Sequence, residues 1–293
     1  MKQIHCSTVP TVVTIGNFDG LHQGHLKLID KTKHLAKKYG LKSLVCGFNA
    51  NTKGARLLFS KSQMKTYLQE LQVDYYATLD FYKEIKNLSC EEFVSNYLCK
   101  RFQAQYVVVG ENFRFGKEQS GDVNTLIALG KEFGFTVYPV KMKQIGKQIL
   151  SSTYIRQLLN NGKIKQANRY LYKELSVIGT VTKGYSLGSP LLQTPTANVA
   201  LPKQFVHIPF GVYYSKTIID KTEYKSIKNV GYAPTYQKAT PVTETYVFDF
   251  HGNLYGKKIQ ICFLQFLRKE RKFSSLEALK KQIEKDIDVC KLL

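Results

Sequence analysis

Tryptophan is absent from this 293-residue chain, and acidic side chains are scarce: 22 Asp and Glu stand against 43 Lys and Arg, a formal net charge of +21. The missing indole leaves 19 Tyr and 17 Phe to supply the aromatic bulk. No run of about 18 apolar residues occurs, so no membrane-spanning helix is expected. The opening MKQIHCSTVP lacks the apolar stretch of a secretory signal. The six cysteines are scattered and never paired as C-x-x-C. That argues against a disulfide frame or a zinc site and for reduced thiols in a cytoplasmic protein. Neither G-x-x-x-x-G-K-[ST] nor G-x-G-x-x-G is present, so the two commonest phosphate-binding loops are excluded. The positive field favours polyanions. The lysines are dispersed, however, as at Lys31, Lys33, Lys37 and Lys38, with no basic tail and no basic-aromatic repeat. They read as a solvated surface, and no specific nucleic acid is expected.

What is present begins at Thr14-Ile15-Gly16-Asn17-Phe18-Asp19-Gly20-Leu21-His22-Gln23-Gly24-His25. An apolar strand pattern runs into a glycine-punctuated turn, and a helical pattern follows from His25. The unpaired N–H groups and positive dipole end of such a helix make the turn an anion site, most naturally for phosphate. His22 and His25, three residues apart, can point into the same space. Each feature alone is ordinary turn chemistry; strand, glycines and H-x-G-H together are more specific.

Further along, strand patterns at 11–16, 41–48, 74–79, 106–110 and 135–140 alternate with helical patterns at 25–39, 62–70, 89–102 and 122–133. This spacing indicates a parallel sheet with right-handed crossovers, whose ligands sit at the carboxyl ends of the strands. Gly16-Asn17, Phe48-Asn49 and Gly110-Glu111-Asn112 fall at such ends. Ser151-Ser152-Thr153-Tyr154-Ile155-Arg156 then opens a helix. Its hydroxyls are good caps, and with Arg156 one turn on they also make a phosphate clamp. After a short helix near 164–171 the pattern changes. Short strands at 177–182, 210–217, 224–227, 243–250 and 258–263, separated by Gly, Pro and Asn, have the look of an antiparallel barrel. An amphipathic helix, capped at Ser274-Ser275, follows to about residue 287. The predicted domains are 1–172 and 173–293.

These motifs resemble, in order and approximate spacing over nearly the whole chain, those of the bifunctional prokaryotic riboflavin kinase/FAD synthetases. The first half carries T-I-G-N-F-D-G-L-H-Q-G-H, V-V-V-G-E-N-F-R-F-G (107–116), G-D-V (121–123) and S-S-T-Y-I-R (151–156). The second carries P-T-A-N (195–198), F-G-V-Y (210–213), G-Y-A-P-T (231–235), E-T-Y-V-F-D-F (244–250), L-Y-G-K (254–257) and L-R-K-E-R-K-F (267–273). The resemblance implies a Rossmann-like H-x-G-H nucleotidyltransferase domain that joins AMP from ATP to FMN, giving FAD and pyrophosphate. It also implies a six-stranded β-barrel kinase domain that phosphorylates riboflavin to FMN. By the same resemblance His22 and His25 line the ATP phosphates, Gly16, Asn17 and Phe18 form the adjoining wall, and Asn112, Ser152, Thr153 and Arg156 contact nucleotide or phosphate. Arg114 reads equally well as a surface residue. In the second half the resemblance makes Glu244 the base, and Thr196 and Asn198 holders of Mg2+ and nucleotide. Riboflavin, FMN, FAD and ATP are the implied small-molecule partners.

The sequence departs from the family pattern in two loops. Phe48-Asn49-Ala50-Asn51-Thr52 stands where the family has F-x-P-H-P, and residues 184–194 lack the usual G-R-x-L-G-F before P-T-A-N. A tyrosine, Tyr246, replaces the histidine usual after the E-T pair. Two other readings stay open at this point. One is an FAD synthetase whose β domain only binds flavin. The other is a basic nucleic-acid-binding protein, which would require steeply salt-dependent affinity.

Overall fold

The computed structural model describes residues 1–48, 56–182, 196–231 and 242–293. These group into two compact units, Met1–Ser152 and Thr153–Leu293. The departures at 49–52 and 184–194, Pro195 and most of G-Y-A-P-T lie outside the described residues.

The first unit is built on β1 (Lys2–Gln3), β2 (Thr11–Ile15), β3 (Lys42–Phe48), β4 (Tyr75–Leu79), β5 (Ala104–Gly110) and β6 (Thr136–Val140). All neighbours are parallel, in the order β1-β4-β3-β2-β5-β6. The helices are α1 (Gln23–Tyr39), α2 (Lys61–Glu70), α3 (Cys90–Phe93, continued with wider turns over Val94–Arg101) and α4 (Val123–Phe133). Every residue of β2 is buried, as a central parallel strand covered on both faces requires. Chain order runs outward from β2 to β3 and β4, then returns to β5 on its other side. The sheet therefore reverses direction at β2, and a crevice opens at the carboxyl ends there. The turn after β2 and the Gly110–Asn112 corner after β5 border that crevice. Pro139 sits on the edge strand β6, where a missing N–H costs no ladder bond. A hairpin that the pattern did not foresee, β7 (Gln144–Ile145) with β8 (Gln148–Ile149), follows.

The second unit opens with α5 (Ser152–Asn160), whose first residue belongs to the first unit, and α6 (Ile164–Asn168). Then come β9 (Ser176–Thr180), β10 (Ala197–Ala200), β11 (Gly211–Ile219), β12 (Thr222–Gly231), β13 (Val242–Val247), β14 (Lys258–Lys269) and α7 (Leu276–Leu292). The strands pair antiparallel in the order β10-β13-β12-β11-β14-β9. A bridge from Thr182 to Asn198 joins the two ends, with the Thr182 N–H donating to the Asn198 carbonyl at 2.9 Å. This closes the expected six-stranded barrel and leaves no open edge along that seam. Period-two burial separates the faces. Ser226, Lys228 and Val230 of β12 point inward, whereas Asn229 is exposed. The outer face carries Val212, Tyr214, Ile227 and Phe248, packed with Cys290 of α7. Arg268 clamps that helix with a bidentate ion pair to Asp286, at 2.6 Å and 2.9 Å to Oδ2 and 3.1 Å to Oδ1.

Candidate active sites

In the first unit the H-x-G-H segment is a helix start built around its own histidines. His22 caps α1: its Nδ1 accepts from the His25 N–H at 3.4 Å. That fixes the tautomer, because a nitrogen that accepts carries no proton, so Nε2–H is left as the donor. The two imidazoles stack with centroids 3.6 Å apart, and Phe18 meets His25 edge-on at 5.2 Å. Gly24 makes this possible. A Cβ there would stand 3.1 Å from two atoms of the His22 ring and 3.1 Å from Met142 Cε. Burial lowers His22 from 6.5 to about 4. His25 lies well below its ordinary value through burial and then the neighbouring His22. Both rings are therefore neutral donors near pH 7, and the His25 Nδ1 has no partner among the described residues.

The backbone before them is strained. Gly20 has φ +85 and Leu21, directly before His22, has φ +40, a region that side chains avoid unless surroundings enforce it. Asp19 enforces it. Its buried carboxylate accepts from the Leu58 N–H at 3.0 Å and the Phe59 N–H at 3.4 Å, and its carbonyl accepts from the Ser152 hydroxyl at 2.8 Å. Sequence reasoning did not single out Asp19. The available signal was an acidic residue inside a stretch with no other charge. Asn17, Phe18 and Asp19 also wall a pocket closed by Gly47, Phe48, Phe59 and Tyr76. Met142 was missed as well: its Sδ would lie 2.8 Å from a Cβ on Gly110, so it wedges between the α1 start and the β5 end. Lys143 donates to Gln23 beside it.

Of the other residues anticipated here, Gly16 follows β2 directly and Asn112 lies exposed in the turn closed by Phe113 N–H to Gly110 carbonyl, 2.9 Å. Ser152 is drawn to the turn through Asp19. Thr153 and Arg156 follow on α5, Arg156 one turn beyond Ser152. Arg114 points to Asp122 at 3.5 Å, and Asp122 caps α4 through the Thr125 N–H at 2.9 Å. G-D-V is thus a helix cap.

In the second unit the anticipated residues meet on one rung of the barrel. The last two residues of P-T-A-N, Ala197 and Asn198, open strand β10, where Asn198 is the cross-strand partner of Glu244. Glu244 is in turn opposite Asn229 of β12. The Thr196 hydroxyl donates to Glu244 Oε1 at 2.9 Å. Burial raises the Glu244 carboxyl above its ordinary value, and the Thr196 bond opposes the rise. The Asn198 Nδ2 is buried with no partner among the described residues, a cost tolerated where a ligand completes the site. Asn229, not foreseen, donates to Glu270 Oε1 at 3.1 Å and ties L-R-K-E-R-K-F to this rung.

The FAD synthetase family model matches residues 5–154 and the riboflavin kinase family model matches residues 171–293. The chain belongs to the bifunctional riboflavin kinase/FMN adenylyltransferase family. Relatives of that description include one from Buchnera aphidicola subsp. Schizaphis graminum, 32% identical, covering 99% of this chain and 95% of its own. Another, from Pseudomonas fluorescens, is 34% identical over 96% of this chain and 92% of its own. A crystal structure from Streptococcus pneumoniae, described as a macrolide-efflux protein, superposes with a TM-score of 0.89 at 26% identity, covering 99% of this chain and 98% of that one. Among the described residues no helix is long and apolar enough to cross a membrane.

Proposed function

We propose that the chain makes FMN from riboflavin in its second module and FAD from FMN in its first, with the functional boundary at residues 172/173 and both reactions in the cytoplasm. The observation that carries this reading is convergence. Motif residues far apart in sequence meet in both modules: Ser152 with Asp19, 133 residues apart, and Thr196 with Glu244, 48 apart.

In the adenylyl transfer an FMN phosphate oxygen attacks the α-phosphorus of ATP, the bond to the bridging oxygen breaks and pyrophosphate leaves. The protein's work is alignment and stabilisation of charge. Neutral His22 offers its Nε2–H to the phosphate oxygens, and His25 lies stacked beside it. The α1 N-terminus adds positive potential from its unpaired backbone N–H groups. Gly16, Asn17 and Phe18 wall the nucleotide, and Asn112, Ser152, Thr153 and Arg156 complete the phosphate contacts.

In the phosphoryl transfer Glu244 takes the proton from the ribityl hydroxyl as that oxygen attacks the γ-phosphorus, the bond to the β,γ-bridging oxygen breaks and ADP leaves. Thr196, hydrogen-bonded to Glu244, orients the carboxylate. Thr196 and Asn198 supply neutral oxygens, and with phosphate oxygens that donor set fits Mg2+. The ion, when bound, neutralises charge on the ATP phosphates.

Incubation with riboflavin, ATP and magnesium tests the reading. FMN followed by FAD is the expected course. FAD from supplied FMN, with nothing made from riboflavin, would favour a synthetase whose β domain only binds flavin, the reading motivated by the altered 184–194 loop. No flavin turnover at all refutes both.

A further inference from the structure

A groove of 440 Å³ in the second unit is lined by none of Thr196, Asn198 and Glu244. That volume falls within the range of about 300–1,000 Å³ typical of small-molecule sites. Its walls are Gly162, Lys163, Lys165 and Gln166 on one side and Gln265 and Phe266 of β14 on the other.

Two features show that the groove is built. First, β14 slips register against β11 twice, so that Leu264 and Leu267 have no partner while Gln265 faces Tyr214 and Phe266 faces Tyr213. Bulges re-aim side chains. These two bracket the two groove residues and send Leu264 and Leu267 to the cluster under α7. Phe266 is left against Tyr213, centroids 5.1 Å apart. Second, the facing wall is fixed to β14. The Asn168 side chain donates to the Phe263 carbonyl at 2.7 Å and accepts from the Leu175 N–H at 3.0 Å. Gly162 has φ +71, and a Cβ there would reach the Phe266 ring at 3.1 Å. Backbone and ring thus meet at the base of the groove with no side chain between them.

The chemistry on offer is one aromatic ring, two ammonium groups and two side-chain amides. It suits a planar heterocycle that carries a phosphomonoester: the ring stacks, and two lysines match the two charges of the dianion. Resting on the proposed pair of reactions, the choice of ligand is narrow. Riboflavin has no phosphate, ATP ends in a triphosphate and FAD carries a pyrophosphate diester; FMN alone is a planar phosphomonoester. We infer that this groove is a non-catalytic docking site for FMN, lined by none of the residues assigned to the site that makes it or to the site that consumes it.

The test is an FMN titration of the full chain by flavin fluorescence, set beside a riboflavin titration, for wild type, for Lys163→Glu/Lys165→Glu and for Phe266→Leu. The wild type is expected to show a class of FMN site that riboflavin does not fill. The double lysine variant, altered only at exposed positions, should weaken that class about tenfold and leave riboflavin binding as it was. Phe266→Leu, which removes the stacking ring, should weaken the same class and also leave riboflavin binding as it was. FMN titrations that superimpose for wild type and the lysine variant overturn the inference, as does equal loss of FMN and riboflavin binding. The titration needs no turnover, so it stands apart from the failure of the proposed reactions.

Discussion

Lys228 is the residue whose substitution tests the physics of the barrel most directly. It is 1% exposed, on the inner face of β12 opposite Thr245, and its Nζ has no hydrogen-bond partner among the described residues. The Phe263 ring, 4.5 Å from Nζ, compensates in part. A desolvated cation–π contact returns about 2 kcal/mol, while burying an unpaired ammonium costs several. Desolvation wins, and burial holds the amine well below the ordinary lysine value. The folded chain then binds one proton fewer than the unfolded chain at every pH between the lowered value and about 10.4. The sign follows: stability is greatest above the unfolded value and falls as pH drops through this window, by about 1.4 kcal/mol per pH unit. Lys228→Met keeps an unbranched chain of similar length and removes the proton. The variant is expected to be the more stable where the folded amine is neutral and the unfolded one charged, and its advantage should shrink as pH rises through that window, by about 1.4 kcal/mol per pH unit. Urea unfolding followed by tyrosine fluorescence at pH 7, 8 and 9 measures this, since no tryptophan is present to interfere. Taking the difference between variant and wild type cancels the tyrosine and thiol groups that titrate in the same range. A difference that does not change with pH would falsify the assignment of a neutral lysine.

Four further outcomes are expected. Glu244→Gln should lower riboflavin phosphorylation by about 10²–10⁴-fold and spare FAD formation from supplied FMN, measured by separating the flavins over time. His25→Ala should do the reverse, and loss of both activities in either variant would contradict two separate sites. Gly24→Ala should leave thermal stability nearly unchanged, since alanine favours a helix interior by up to about 1 kcal/mol. It should nevertheless slow FAD synthesis about tenfold by displacing the His22 ring; an unchanged rate would mean that the stacked geometry is not used. Below pH 6.5 the chain should lose stability as the medium approaches pH 4, because folded His22 resists protonation that the unfolded chain accepts. The contribution is about 3 kcal/mol, and acid unfolding of His22→Asn should be correspondingly shallower.

The architecture was legible where period and punctuation agreed. A buried apolar run and its helix predict β2 and α1 within two residues, and Gly40 closes α1 in the left-handed conformation. Five of the six barrel strands were found, but their ends were not. The pattern stopped β14 near 263, whereas the strand runs to Lys269. The cause is visible in the two bulges, which break strict alternation just where a period-two reading looks for it. The strand Ala197–Ala200 was hidden for another reason. Pro-Thr-Ala-Asn has turn composition, and long-range pairing with β13 is what makes Ala197–Ala200 a strand. Sites were legible as motifs and not as geometry. H-x-G-H announced two histidines, but nothing local announced that they stack or that Asp19 ties their turn to residues 58, 59 and 152.

The two modules manage charge in opposite ways, and this bears on how each can work. In the first, burial removes the proton from both histidines, so the positive potential at the phosphate comes from backbone N–H groups, the helix end and the proposed Arg156 contact. Such dipoles are fixed before the substrate arrives and need not reorganise during transfer. Two protonated rings 3.6 Å apart would repel each other, so the stacked pair resists the charge state that would make it a simple anion trap. In the second, burial raises the proton affinity of Glu244, which makes the carboxylate a stronger base once ionised, and the Thr196 hydroxyl keeps it ionisable. A weak-field cradle suits a step in which the enzyme moves no proton. A raised carboxyl suits a step in which a hydroxyl must lose one. The two sites therefore differ in the way their two proposed reactions require.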